Sequence, residues 1–297
     1  MSAAPSGEQF ELDAAGQHVV AVELGGGLRA YSAGGRDVLE GYAVDEPPDG
    51  GRGQILAPWP NRLRDGRYEW DGETLQLELS EPAHRNAIHG LARGERWSLV
   101  ERAAGHLTLG LALEPSAGYP FALDLEVRYA LGVGGLTVEM TAENVGETPA
   151  PYGVGFHPYL AVGGGAVDDA ELEIPAERML VTDERAIPVS EVAVAGTEFD
   201  FRRSRMVGPL ELDTCFTDLA RGADGRARIV VRGVTLWLDG AFGYAMVYSG
   251  DTLAPGRRRR GLAIEPMTCP PNAFATHEHV VSLAPGARHV GVWGIEP

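Results

Sequence analysis

Two short segments hold the residues of this chain best suited to moving protons: Gly155-Phe156-His157-Pro158-Tyr159 and Ile264-Glu265-Pro266-Met267-Thr268-Cys269-Pro270-Pro271-Asn272. Each sets one proton-transferring side chain beside prolines or glycines, which fix backbone direction and end regular structure. An imidazole and a carboxylate together are common equipment for moving two protons on one substrate. Glu265 is the harder of the two to dismiss as structural. Leu262 and Ile264 mark a buried strand end, where an unpaired carboxylate is costly. Such a group needs a raised pKa, a partner or a purpose.

Four further stretches carry polar chemistry. Ala57-Pro58-Trp59-Pro60-Asn61-Arg62 opens a Pro-stiffened loop that continues to Arg67, Asn86-Ala87-Ile88-His89-Gly90 sets a His against a Gly, and Leu212-Asp213-Thr214-Cys215-Phe216 places an Asp before an apolar run. The fourth is the arginine run Arg257 to Arg260. Singly, each has a bland explanation: a salt-bridged surface arginine, a turn histidine, an Asp capping a turn. The arginine run reads as a solvated hairpin tip unless it reaches a groove, where it would suit a phosphate. His277-Glu278-His279 puts two imidazoles on one face of a strand but lacks a third ligand, so no metal is expected. Cys269 has no matched His and reads as a packed thiol.

The elements that must position these residues have a period of two. Leu107, Leu109, Leu111 and Leu113 alternate with smaller or polar residues, and Leu123, Leu125, Val127, Tyr129 and Leu131 alternate with Asp124, Glu126 and Arg128. Leu136, Val138 and Met140 repeat the pattern, with similar runs at 18–24, 28–33, 73–79, 96–102, 227–232, 234–240, 243–248, 261–265 and 287–293. This is the signature of antiparallel strands with one wet face. Gly132-Val133-Gly134-Gly135 and Trp70-Asp71-Gly72-Glu73 read as hairpin turns. No amphipathic helix longer than about two turns is evident, so the expected fold is an all-β, antiparallel sandwich or barrel. No linker interrupts it, and one domain over 1–297 is expected.

Composition removes several classes of function. The net charge of −17 argues against nucleic acid and against anionic membranes. No apolar run approaches the roughly 18 residues of a membrane span. The N-terminal residues lack the basic and apolar regions of a signal peptide. Two cysteines are too few for a disulfide framework, and a reduced, cytoplasmic protein is the simpler expectation. All 25 basic residues are arginines, which rules out a Schiff-base lysine, a lysine base and a P-loop lysine.

Taken together and in order, the Pro-Asn-Arg loop at 60–62, Ile-His-Gly at 88–90, Gly-Phe-His-Pro-Tyr at 155–159, Asp213 with Cys215-Phe216, and the run from Glu265 to Phe274 resemble the aldose 1-epimerase (galactose mutarotase-like) family. The resemblance implies a single large antiparallel β-sandwich with a sugar groove across one sheet and no metal or organic cofactor. It also implies Glu265 as general base, His157 as general acid, and Arg62, His89 and Asp213 as groups that hold the sugar. The implied partner is a small-molecule sugar, handled by a monomer or homodimer.

Interconverting the anomers of a cyclic aldose requires the O1 proton to leave while the ring oxygen O5 gains one. Both oxygens hang on C1, so base and acid must converge on one small region. Trp59, Tyr159 and Phe274 flank the motifs and can either stack on a sugar C–H face or pack the core. The leading substrate is a free hexose such as glucose or galactose. A hexose 6-phosphate on the same scaffold is the nearest rival, favoured if two or more arginines converge some way from Glu265. A non-catalytic carbohydrate-binding sandwich is the rival of another class.

Overall fold

The computed structural model describes residues 4–297; the N-terminal reading of Met1–Ala3 lies outside the described residues. The alternation from Leu123 becomes the strand Leu123–Gly132, whose leucines, Val127 and Tyr129 are buried while Asp124 and Glu126 face solvent. Its hairpin partner Gly135–Asn144 buries Leu136, Val138 and Met140 on the same side. Gly135 has φ +115°, and a Cβ there would lie 2.0 Å from the Ile295 carbonyl oxygen, so the turn demands glycine.

These two strands sit within a nine-stranded sheet. Its order is Ser98–Ala103, His106–Leu113, Leu123–Gly132, Gly135–Asn144, Arg288–Glu296, Val234–Leu238, Ala227–Val231, Glu171–Glu173, Arg205–Met206. An eight-stranded sheet runs Pro188–Ala193, Ala176–Thr182, Asp213–Leu219, Tyr244–Tyr248, Gly261–Met267, Gly155–Phe156, Ile55–Leu56, with Tyr159–Ala161 also paired to Gly261–Met267. The strand pairs of both sheets are antiparallel.

One apolar cluster extends from Phe10 to Ile295 and fills the space between the sheets. Phe156 of the eight-stranded sheet meets Trp293 of the nine-stranded one with ring centroids 5.1 Å apart. The architecture is a β-sandwich. Among the described residues the α-helical content is the single turn Ala273–Thr276, and no helix is long and apolar enough to cross a membrane.

The two faces of the eight-stranded sheet differ, and this places the chemistry. Within Gly261–Met267, Leu262 and Ile264 point into the large core. Glu265 and Met267 point the opposite way, as period two requires, and Met267 joins Cys215, Tyr244 and Met246 in a smaller cluster there. Asp213 shares its face with Cys215, and Tyr248 shares its face with Met246, for the same reason.

Some short elements escaped the pattern of the sequence. The loop around Arg62 contains the strand Arg62–Arg64, which pairs with Asn86–Ile88 through Arg62↔Ile88 and Arg64↔Asn86. Three residues are too few to show a period, and residues more than twenty positions apart supply the pairing. The arginine run is only partly a solvated tip. Arg259 is mostly buried and bonds Asp168 and Asp251, each at 2.8 Å, while Arg257 pairs with Glu46.

Candidate active site

The strand Gly261–Met267 pairs with Gly155–Phe156 through Gly155↔Met267 and with Tyr159–Ala161 through Tyr159↔Ala263. One register runs through both pairings, so the residue opposite Glu265 is His157. Pro158 has no N–H to give to the ladder, and the pairing opens at this point. The sequence thereby delivers an imidazole against a carboxylate. His157 Nε2 lies 3.2 Å from Glu265 Oε1, with the two side chains only 5% and 3% exposed.

Burial sets the protonation of this pair. It pushes the Glu265 carboxyl well above the usual carboxylate range, reinforced by the charge of Asp213 and opposed by that of Arg62. The same desolvation pushes His157 down to about 3, opposed in part by its own backbone and helped by the charges of Arg52 and Arg93. With one proton between them, the pair is either acid plus neutral imidazole or carboxylate plus imidazolium, two forms of equal net charge. Desolvation favours the first. Glu265 Oε2 has no hydrogen-bond partner among the described residues, although it is buried. A buried acceptor left in that state is costly, and a ligand hydroxyl would satisfy it.

His89 sits 5.4 Å from His157, ring to ring and edge on. Its ring Nδ1 accepts the backbone N–H of Asn61 at 3.3 Å, while the backbone N–H of His89 is donated to the Asn61 carbonyl at 2.9 Å. Burial, then the charge of His157, holds its pKa well below the ordinary histidine value. A neutral ring whose Nδ1 accepts must carry its proton on Nε2, and His89 is a donor there. Arg62 is held by Glu81, with Nε to Oε2 at 3.0 Å and Nη2 to Oε1 at 3.1 Å, and reaches Asp213 at 3.5 Å. The run after Glu265 clamps this arginine: Asn272 N–H bonds the Arg62 carbonyl at 2.6 Å, and Arg64 N–H bonds Asn272 Oδ1 at 3.0 Å.

These groups share a cleft of about 390 Å³, within the roughly 300–1,000 Å³ of small-molecule sites. Glu265, His157, His89, Arg62 and Asp213 all line it, so the structure brings together every site residue expected from the sequence. Asp213 stands nearer the solvent, with 45% of its side chain exposed. A larger hollow of about 720 Å³ lies elsewhere, but its lining includes no histidine and no carboxylate–imidazole pair.

Sequence reasoning missed Glu81, Arg93, Gln54 and Tyr248, which also line the cleft, and Arg52 behind it. None stands in a motif, and Glu81 gains its role only through Arg62. The buried Arg52 guanidinium lies 4.1 Å over the Tyr159 ring, which in turn stacks on His157 at 5.1 Å and 11°. Tyr159 thus supports the imidazole and does not form a sugar platform. Trp59 and Phe274 are core residues, 5.7 Å apart and buried. His277 stacks on Trp70 and His279 bonds Tyr244, so the two imidazoles have separate partners. Both thiols are buried with raised pKa values, the mark of inert cysteines.

The aldose 1-epimerase family model matches residues 8–295. The chain belongs to that family. It is 34% identical to the Escherichia coli protein named uncharacterized protein YihR over 285 residues, covering 96% of this chain and 91% of that one. It is 32% identical to human galactose mutarotase over 181 residues, which is 59% of this chain and 49% of the human protein. The aldose epimerase homologue from C. elegans shares the fold, with a TM-score of 0.85 over 97% of this chain and 98% of that one at 20% identity. By family, the chain is an isomerase acting on carbohydrates.

Gly51 makes this epimerase's cleft sensitive to one methyl group. Its φ is +74°, and a Cβ there would lie 2.6 Å from His157 Cδ2 and 3.0 Å from Nε2. Gly51→Ala is therefore expected to displace the imidazole and lower kcat/KM by about 10²-fold, the order that follows ångström-scale misplacement. Steady-state kinetics beside a thermal melt checks this. A normal rate in the variant would mean that His157 does not need its present position.

Proposed function

We propose that the chain interconverts the α and β anomers of an aldopyranose, with Glu265 as general base and His157 as general acid. The observation that carries this reading is the 3.2 Å approach of His157 Nε2 to Glu265 Oε1 in the wall of the cleft. Transfer of the shared proton from Glu265 to His157 arms the pair. Glu265 then removes the O1 proton, the electron pair of the broken O1–H bond forms the C1=O1 carbonyl, the C1–O5 bond breaks with its pair passing to O5, and O5 takes the proton of His157. The open chain rotates about C1–C2 and closes on the other face with each transfer reversed.

Opening the ring returns the pair to neutral acid and neutral imidazole, the form that desolvation favours. The free energy spent in separating the charges is thus recovered as the ring opens. His89 Nε2–H and the Arg62 fork are donors suited to sugar oxygens, and Asp213 is an acceptor suited to a hydroxyl. The apolar cluster from Phe10 to Ile295 supports one catalytic domain spanning the chain. A purely binding module would need hydroxyl partners but no buried proton pair. Glucose and galactose are the neutral hexoses to test first, by anomeric exchange NMR. Exchange no faster than in buffer for any hexose would refute the assignment.

The pair's titration predicts an unusual pH profile. His157 gains a second proton for the pair only near its depressed value of about 3, and Glu265 loses the last one only above its raised value. The one-proton state spans the interval between. We expect kcat/KM to be flat from above about 3 up to the raised value of Glu265, falling toward strong acid and again once Glu265 loses its proton. An acid limb near the ordinary histidine value of about 6.5 would contradict the buried pair.

A further inference from the structure

The arginines of the cleft are not equivalent. Arg62 is neutralised by Glu81 and reaches Asp213. Arg259, another well-buried arginine outside the cleft, holds two carboxylates. Arg93 follows neither pattern. It projects from the 3-10 turn Ala92–Gly94 into the cleft that holds Glu265, half-buried. Burial alone lowers its pKa, with no acidic neighbour acting to raise it again. Its charge is close enough to disfavour protonation of both His89 and His157. Among the described residues no carboxylate lies within ion-pair distance of Arg93, although the protein carries 42 acidic residues to 25 arginines.

Such an arrangement is costly to an empty site and useful to a charged ligand. A guanidinium presents a planar fork that matches carboxylate and phosphate oxygens, and the bonds it makes to them are charge-assisted. Partial desolvation strengthens those bonds relative to water. The run Arg257 to Arg260 has no part in this, since none of the four lines the cleft.

We propose that Arg93 is a specificity residue, and that the preferred substrate is an aldose carrying an anionic oxygen group away from C1. This inference rests on the proton-pair reading of the same cleft. The anomeric carbon would sit at Glu265 and His157 while the anion docks on Arg93. A neutral hexose would undergo the same reaction but would leave the guanidinium without a counterion.

The test compares glucose, glucuronate and glucose 6-phosphate in anomeric exchange NMR, with wild type, Arg93→Gln and Arg93→Lys. The wild type is expected to show a higher kcat/KM for at least one anionic hexose than for glucose. Arg93→Gln should reduce that ratio by about 10–10²-fold, the usual worth of a charge-assisted hydrogen bond, and Arg93→Lys should retain part of it. Which anion gives the larger ratio identifies the carboxylate or the phosphate as the better mimic. Calorimetry with Glu265→Gln, which removes the base and keeps Arg93, should rank the three ligands in the same order. A wild-type ratio at or below one, or a ratio unchanged in Arg93→Gln, overturns the role of Arg93 alone. Loss of exchange for every sugar overturns the proton-pair reading itself.

Discussion

Glu265→Gln is expected to slow anomer exchange by about 10²–10⁴-fold, the usual contribution of one positioned acid or base. The amide matches the carboxyl in shape, so the strand Gly261–Met267 and the cleft should survive, and a circular dichroism melt should confirm this. The amide is not a proton acceptor of useful strength, so O1 would have to lose its proton to water. It also cannot supply the mobile proton that arms His157. The variant should bind sugar with nearly unchanged affinity, because amide and carboxyl both offer an oxygen to a hydroxyl. The loss should therefore appear in kcat, with KM close to wild type. Loss confined to KM would assign Glu265 to binding rather than proton transfer.

His157→Asn should cost a comparable factor by a different route. Asparagine can donate a hydrogen bond toward O5, but it cannot release the proton, so the C1–O5 bond would have to break against a poor leaving group. Tyr159 and Arg52 would lose the ring they support, yet both are anchored independently. Tyr159 O–H bonds the Gly50 carbonyl at 2.8 Å, and Arg52 bonds the Glu40 carbonyl at 2.8 Å. Local collapse is thus not expected. With the imidazole gone, Glu265 loses its 3.2 Å partner and remains a buried carboxyl whose proton has nowhere to go. The flat pH profile should then be replaced by one governed by a single carboxyl. A variant with wild-type kcat would show that O5 is protonated by another group.

The fold was legible wherever strands were long and faced water on one side. Leu123–Gly132 and Gly135–Asn144 follow from alternation alone, because a period of two over ten residues has no helical counterpart. The short strands of the cleft were not legible, since Arg62–Arg64 and Asn86–Ile88 exist only through each other. The candidate residues were legible as motifs, but their arrangement was not. That His157 faces Glu265 follows from two pairings onto one strand, separated by more than a hundred residues of chain. Asn272 looked like the tail of a motif, and its role in clamping Arg62 and Arg64 appears only in three dimensions. Glu81, Arg52 and Arg93 carried no local signal at all. Each matters through what lies beside it, or, for Arg93, through what does not. The aromatic residues beside the motifs misled for a related reason. Sequence adjacency to a catalytic residue fixes neither the face nor the depth of a neighbour, and Trp59 and Phe274 point into the core.

The mechanism requires Glu265 and His157 to pass one proton between them as a single device. The rate of exchange between anomeric NMR signals in wild type, Glu265→Gln, His157→Asn and the double variant tests this most directly. A shared device is disabled by the loss of either member, so the double variant should be no slower than the slower single one. Two penalties that multiply in the double variant would mean that the residues act independently, and the shared proton would have to be abandoned.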